Sequence, residues 1–160
     1  MSPGEYNQCV DLFADRLFRF LLKSVRDEDL AKDLVQDTFE KAWLNHEDIP
    51  FLKAKSWLFT TGYRTMIDGI RRGKKMVNME VMPEVFAGNM PEPDLKKQLR
   101  LALEKLPDIQ RSVILLRDFE GYDYKEIGEI TGLTESQVKV YIFRGRTALK
   151  KFLVSMDNLI

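Results

Sequence analysis

The feature that most constrains this chain is the spacing of its apolar residues, which recur every three or four positions and nowhere alternate with period two for long enough to build a sheet. Val10, Phe13, Leu17, Phe20 and Leu21 line one side of a helix over residues 5–23. Asp27 is placed to cap a second helix, with acids in its first turn, that carries Leu30, Leu34, Val35, Thr38, Phe39 and Ala42 as far as Trp43. Asn45 to Pro50 breaks the pattern, and from Lys53 or Ala54 a third helix runs through Leu58, Phe59, Tyr63, Met66, Ile67 and Ile70. Residues 76–94 then hold three prolines, one glycine and four acids, with no Lys or Arg and no period, and read as a stiffened linker whose methionines and Phe86 could dock on a partner. The expected fold class is all-α, with two small helical domains, 1–75 and 95–160, joined by the linker 76–94.

The second half opens with a helix from Leu95 to Leu106, stopped by Pro107, which can itself start the next helix because its missing N–H is not needed there. Ile109, Val113, Leu116 and Phe119 mark a further buried stripe, ended by Gly121. Asp123 with Glu126 has the spacing of a capping box for a short helix through Ile127 and Ile130, and Gly132 supplies a tight turn. Thr134 with Gln137 repeats the cap before a final helix that turns Val138, Ile142 and Leu149 inward. Short helix, glycine turn and capped basic helix are the parts of a helix-turn-helix. On that reading Ser136, Gln137, Lys139 and Tyr141 reach base edges, while Arg144, Arg146 and Lys150, further along, suit phosphates. The competing reading is an ordinary helical hairpin in which Tyr141 and Phe143 only cover the core edge, and the absence of acids from 138 to 151 speaks against it.

Charge supports two nucleic-acid contacts despite a net charge of zero. Residues 1–50 hold eleven acids against six bases, whereas 51–75 hold seven bases against Asp68 alone. The pattern returns later: six acids and only Lys125 in 118–135, then five bases and no acid in 138–151. Solvated helix faces would explain either block singly. In the first basic block Lys55, Trp57, Phe59, Tyr63, Arg64, Arg71, Arg72, Lys74 and Lys75 mix cations with rings on one expected helix. That mixture suits unpaired DNA, because each base stacked on a ring is worth about 1–3 kcal/mol while cations hold the backbone. Taken by themselves, Trp57 and Phe59 are more often core residues than platforms for a base, and it is the second DNA-reading unit further along the chain that favours the platform.

Other classes fall away. Cys9 is alone, so no internal disulfide forms; it is expected to be a half-buried helix residue, and with only His46 beside it there is no zinc-like cluster. No phosphate-cradling glycine loop or recognisable carboxylate pair is present to do enzyme chemistry, so no catalytic residue, cofactor, metal or small-molecule substrate is expected. No apolar run approaches the roughly 20 residues that span a bilayer, and the first residues lack a secretory pattern, which points to the cytoplasm.

Three ordered segments resemble a known family, the extracytoplasmic function (ECF) RNA polymerase sigma factors. DLVQDTFEKAW (33–43) is similar to their polymerase-binding segment, WLFTTGYRTMIDGIRR (57–72) to their promoter-melting segment, and LPDIQRSVILLRDFEGYDYKEIGEITGLTESQVKVYIFRGRTALKK (106–151) to their C-terminal domain. The resemblance implies that Asp33, Gln36, Asp37 and Glu40 dock core RNA polymerase. It implies that the segment from Lys55 to Lys75, Asp68 included, reads and opens the minus-ten element of promoter DNA by flipping out a base, and that the second domain reads the minus-thirty-five element. An anti-sigma factor is a further partner that the resemblance raises. The chain departs from the family pattern at Arg64, where asparagine is common four residues before an Asp like Asp68, at the less usual Gly62 and Tyr63, and at Val140 and Tyr141 in the reading helix. The rival readings are a stand-alone helix-turn-helix regulator that binds duplex DNA without polymerase, and an all-helical adaptor whose basic segments are solvated faces.

Overall fold

The computed structural model describes residues 1–72 and 94–157, with side chains to residue 155. The expected linker, apart from Asp94, lies outside the described residues, as do Phe86, Lys74 and Lys75. Every regular element among the described residues is helical. They form two compact units, one built on α1 (Pro3–Val25), α2 (Glu28–Leu44) and α3 (Ala54–Arg71). The other holds α4 (Asp94–Glu104), α5 (Asp108–Ile114), α7 (Glu135–Asp157) and most of α6 (Tyr124–Thr131).

In the first unit α1, α2 and α3 pack on one another. The Ser2 hydroxyl accepts the Glu5 amide N–H at 3.1 Å and the Glu5 carboxylate accepts the Ser2 N–H at 2.8 Å, a capping box ahead of Pro3 that starts α1. The Asp27 carboxylate accepts the Leu30 N–H at 3.2 Å and starts α2, as its position predicts. Leu17, Phe20 and Leu21 of α1 meet Ala31, Leu34 and Phe39 of α2 and Leu58, Phe59 and Met66 of α3 in a shared core. Each Leu, Phe or Met withdrawn from water there contributes about 1.5–3 kcal/mol. Cys9 corrects an expectation: it is fully buried rather than half-buried, and burial, with Glu5 nearby, pushes its thiol pKa up.

In the second unit α7 packs against α4 and α5. A Cβ at Gly145 would run into the Cδ1 of Ile114, so a residue without a side chain lets α7 approach α5 closely. Arg111, 2% exposed, clasps the α4–α5 corner: its guanidinium donates to the Glu104 and Leu106 carbonyls at 3.3 and 3.4 Å and to the Asp108 carboxylate at 2.6 Å. After Ile114 the helix widens into a π turn, Leu115–Phe119, in which the Glu120 N–H donates to the Leu115 carbonyl, five residues back, at 3.1 Å. The wider turn changes the helical phase, which corrects the expected stripe: Leu115 and Leu116 are buried, whereas Phe119 is 42% exposed.

Candidate nucleic-acid interface

The inward residues of α2, Ala31, Leu34, Thr38, Phe39 and Ala42, leave Asp33, Gln36, Asp37 and Glu40 on one exposed stripe. Beside it runs a groove of about 280 Å³, lined by Asp33, Gln36 and Asp37 on one side and by Met66, Ile70 and Arg72 of α3 on the other. An acidic face thus borders the basic end of α3.

Along α3, Trp57, Arg64, Asp68 and Arg71 follow a seven-, four- and three-residue spacing that puts them on one stripe. Arg64, Asp68, Arg71 and Arg72 are exposed, Lys55 and Trp57 half-buried. The Arg72 Nε donates to the Asp68 carbonyl at 3.3 Å, holding the last turn. The aromatics divide. Phe59 is fully buried, its ring centroid 5.6 Å from that of Phe20 and 6.0 Å from the Lys55 ammonium, so it belongs to the core. Tyr63 is only 7% exposed, and a ring so enclosed offers almost no face for a base to stack on. Of the rings singled out in the sequence, Trp57 keeps exposed area.

Most of the helix-turn-helix parts belong to the second unit. The Asp123 carboxylate accepts the Glu126 N–H at 2.8 Å and the Glu126 carboxylate accepts the Asp123 N–H at 3.1 Å, which starts α6. Gly132, at φ +80°, makes the left-handed turn that L side chains resist. The Thr134 hydroxyl accepts the Gln137 N–H at 3.1 Å and the Gln137 side-chain oxygen accepts the Thr134 N–H at 2.9 Å, which starts α7. Val138, Ile142, Gly145 and Leu149 face inward. Ser136, Gln137, Lys139, Arg144, Arg146 and Lys150 are exposed and Tyr141 is half-buried. Phe143, which a plain hairpin would tuck over the core edge, is 72% exposed between Lys139 and Arg144.

Arg146 is engaged. Its Nε and Nη2 donate to the two Asp118 carboxylate oxygens at 3.2 and 2.5 Å, and that hydrogen-bonded carboxylate pushes the guanidinium pKa still further up. Tyr124, the first residue of α6, has the Arg117 guanidinium 4.8 Å and the Lys139 ammonium 5.7 Å from its ring centroid. A concave strip lined by Tyr124, Lys139, Phe143, Arg146, Thr147 and Lys150 results. Cations beside rings on an exposed capped helix can hold phosphates and press apolar surface on base edges.

Residues 9–76 match the family described as Sigma-70 region 2, and residues 96–149 that described as Sigma-70, region 4. The RNA polymerase sigma factor YlaC of Bacillus subtilis (strain 168) is 32% identical over 154 residues, covering 87% of this chain and 86% of YlaC. The ECF RNA polymerase sigma factor SigM of the same organism is 29% identical over 150 residues, covering 90% of this chain and 92% of SigM. The chain belongs to the ECF family of RNA polymerase sigma factors. Among solved structures, the sigma factor RpoE in complex with the anti-sigma factor NepR from Bartonella quintana superposes with a TM-score of 0.77 at 26% identity, covering 94% of this chain and 97% of RpoE. CnrH in complex with the cytosolic domain of CnrY gives 0.68 at 25% identity, covering 94% of this chain and 88% of that one.

In this sigma factor, residues 9–76 take in α2 and α3 with most of α1, and 96–149 run from α4 into α7. No helix among its described residues is long and apolar enough to cross a membrane. Sequence reasoning missed two features of its second unit. Phe143 adjoins the inward Ile142 in a helix whose apolar stripe the sequence leaves open to either neighbour, and only the packing settles which ring is outside. The Asp118–Arg146 pair joins residues 28 apart, beyond any local pattern.

Proposed function

We propose that this sigma factor divides promoter reading between two domains, residues 1–75 and 95–160, which core RNA polymerase holds together across the linker 76–94. The stripe Asp33, Gln36, Asp37 and Glu40 docks the polymerase. Exposed and acidic on a helix whose other side is committed to the core, it is free to meet a basic surface. The α3 stripe, with Lys55, Trp57, Arg64, Asp68, Arg71 and Arg72, and with Lys74 and Lys75 beyond it, takes the minus-ten element as it melts. Trp57 is the ring available to an unstacked base, and the cations follow the backbone. Unpairing costs a few kcal/mol, which stacking and a pocket for the flipped base offset.

The reading of α7 rests on one observation above all: after the Gly132 turn, Lys139, Phe143 and Arg144 stand exposed together on a capped helix. Ser136, Gln137, Lys139 and Tyr141 meet base edges of the minus-thirty-five element, Arg144 and Lys150 meet phosphates, and Phe143 suits a thymine methyl. Each domain alone makes few phosphate contacts and the net charge is zero, so the free protein binds promoters poorly. On the polymerase the second contact forms at high effective concentration. The chain supplies no catalytic chemistry and works in the cytoplasm. An anti-sigma factor is a fitting regulator, since RpoE and CnrH each occur in complex with a partner, NepR and the cytosolic domain of CnrY.

The test is transcription in vitro, with core polymerase and the purified chain on a genomic library. Transcripts from a shared promoter sequence are expected. Failure to join core polymerase, or joining without initiating, would reject the assignment, and tight duplex binding without polymerase would favour a stand-alone regulator.

A further inference from the structure

We propose that Asp118 and Arg146 form a positioning pair that aims the reading helix at the minus-thirty-five element, and that Arg146 is not one of its phosphate ligands. The inference rests on α7 being the DNA reader. It concerns which of the exposed cations on that helix contact DNA, and what fixes the helix in register.

The geometry of the pair sets Arg146 apart from its neighbours. Two adjacent donors, Nε and Nη2, take the two oxygens of one carboxylate, the fork arrangement that fixes direction as well as distance. Asp118 belongs to the π turn that precedes the brace helix α6, and Arg146 lies midway along α7. The guanidinium also shares a concave strip with Tyr124, the first residue of α6. Arg117 lies over the Tyr124 ring and donates to the Tyr122 carbonyl at 3.0 Å, so that ring is itself held. One side chain of α7 is therefore tied to the segment that leads into the brace helix, beside that helix's first residue.

The pair is not buried enough to be a major stabiliser. Arg146 and Asp118 side chains are 48% and 37% exposed, and exposed ion pairs add little to folding. What remains is orientation. A phosphate reaching Arg146 would meet a charge already matched, and would lie beside the Asp118 carboxylate that holds two of the five guanidinium donors. Arg144, two residues earlier, is exposed and unpaired among the described residues, so it can take a phosphate at no such cost.

The experiment measures holoenzyme binding, against KCl concentration, to a promoter selected from the genomic library and to the same DNA with its minus-thirty-five element scrambled. Arg144→Ala, a phosphate ligand, should lower the salt slope by about one. Arg146→Ala should weaken binding to the intact promoter about threefold to tenfold, leave the slope unchanged, and narrow the preference over the scrambled DNA. Asp118→Asn should do the same, and the double variant should be no worse than either single one. Arg146→Lys, which keeps the charge and loses the fork, should restore binding only in part. Should the alanine variant fail to fold, Asp118→Asn and Arg146→Lys still decide.

A slope lowered by about one in Arg146→Ala would put the guanidinium on a phosphate and overturn the proposal. Tighter binding by Asp118→Asn would also overturn it, making the carboxylate a competitor for Arg146. Loss of affinity in equal measure on intact and scrambled DNA would leave a structural role only, and sink it as well. If Arg144→Ala changes neither affinity nor slope, the reading of α7 as DNA reader falls first, and this inference with it.

Discussion

The side-chain oxygen of Gln137 is bonded to the amide of Thr134, at 2.9 Å, on the same turn that is offered to base edges. Gln137 therefore presents only its amino group outward while its oxygen holds the helix start. Folding and reading can be separated there, because glutamate makes the same cap and suits the positive end of a helix, yet repels DNA. Gln137→Glu is expected to keep or slightly raise thermal stability while weakening minus-thirty-five binding about tenfold, or 1–2 kcal/mol. Circular dichroism melting and holoenzyme binding check the two halves.

Arg111→Met should destabilise the second unit by about 2 kcal/mol. It removes the donor from the Glu104 and Leu106 carbonyls at the α4–α5 corner while keeping apolar volume. The expected readout is a lower midpoint in thermal or urea unfolding.

Two glycines should respond with opposite signs. Gly132 sits at φ +80°, where a Cβ costs about 1–2 kcal/mol, so Gly132→Ala lowers stability by that order. Gly69 lies within α3, and a Cβ there meets nothing within 4 Å, so Gly69→Ala should raise stability by about 0.5–1 kcal/mol. Urea unfolding of the free protein reads both.

Asp37→Lys reverses one charge on the exposed α2 stripe without touching the core. It is expected to leave the melting temperature unchanged and to weaken core polymerase binding about tenfold, most at low salt, through slower association. Normal co-purification would move the docking face elsewhere.

Local chemistry explains which of these features were legible beforehand. Asp27, Asp123 and Thr134 start helices where short-range rules place them, because a cap needs only residues three apart, and Gly132 turns the chain because its φ demands it. The four exposed polar residues of α2 follow from the same period that buries their neighbours. Burial of particular rings did not follow. Tyr63 lies on the apolar period of α3 and Trp57 off it, yet both also belong to its basic aromatic segment, and only the packing of three helices decides which ring keeps an exposed face. Phe119 fell outside its stripe because a π turn depends on how α5 packs, not on any residue that spells it. Arg111, a cation buried in α5, became intelligible only when the two carbonyls it serves came into view.

That π turn makes length matter between α5 and α6. A widened turn holds one residue more than an ordinary helix needs, so a homologue shortened by one there could stay helical while the end of that helix, Asp118 included, turned by about 100°. Asp118 would then face away from α7, and the arginine that meets it would be left without a mate. Relatives that drop this residue should therefore lose the acid and the arginine together, a joint disappearance that sequence comparison can look for with no experiment at all.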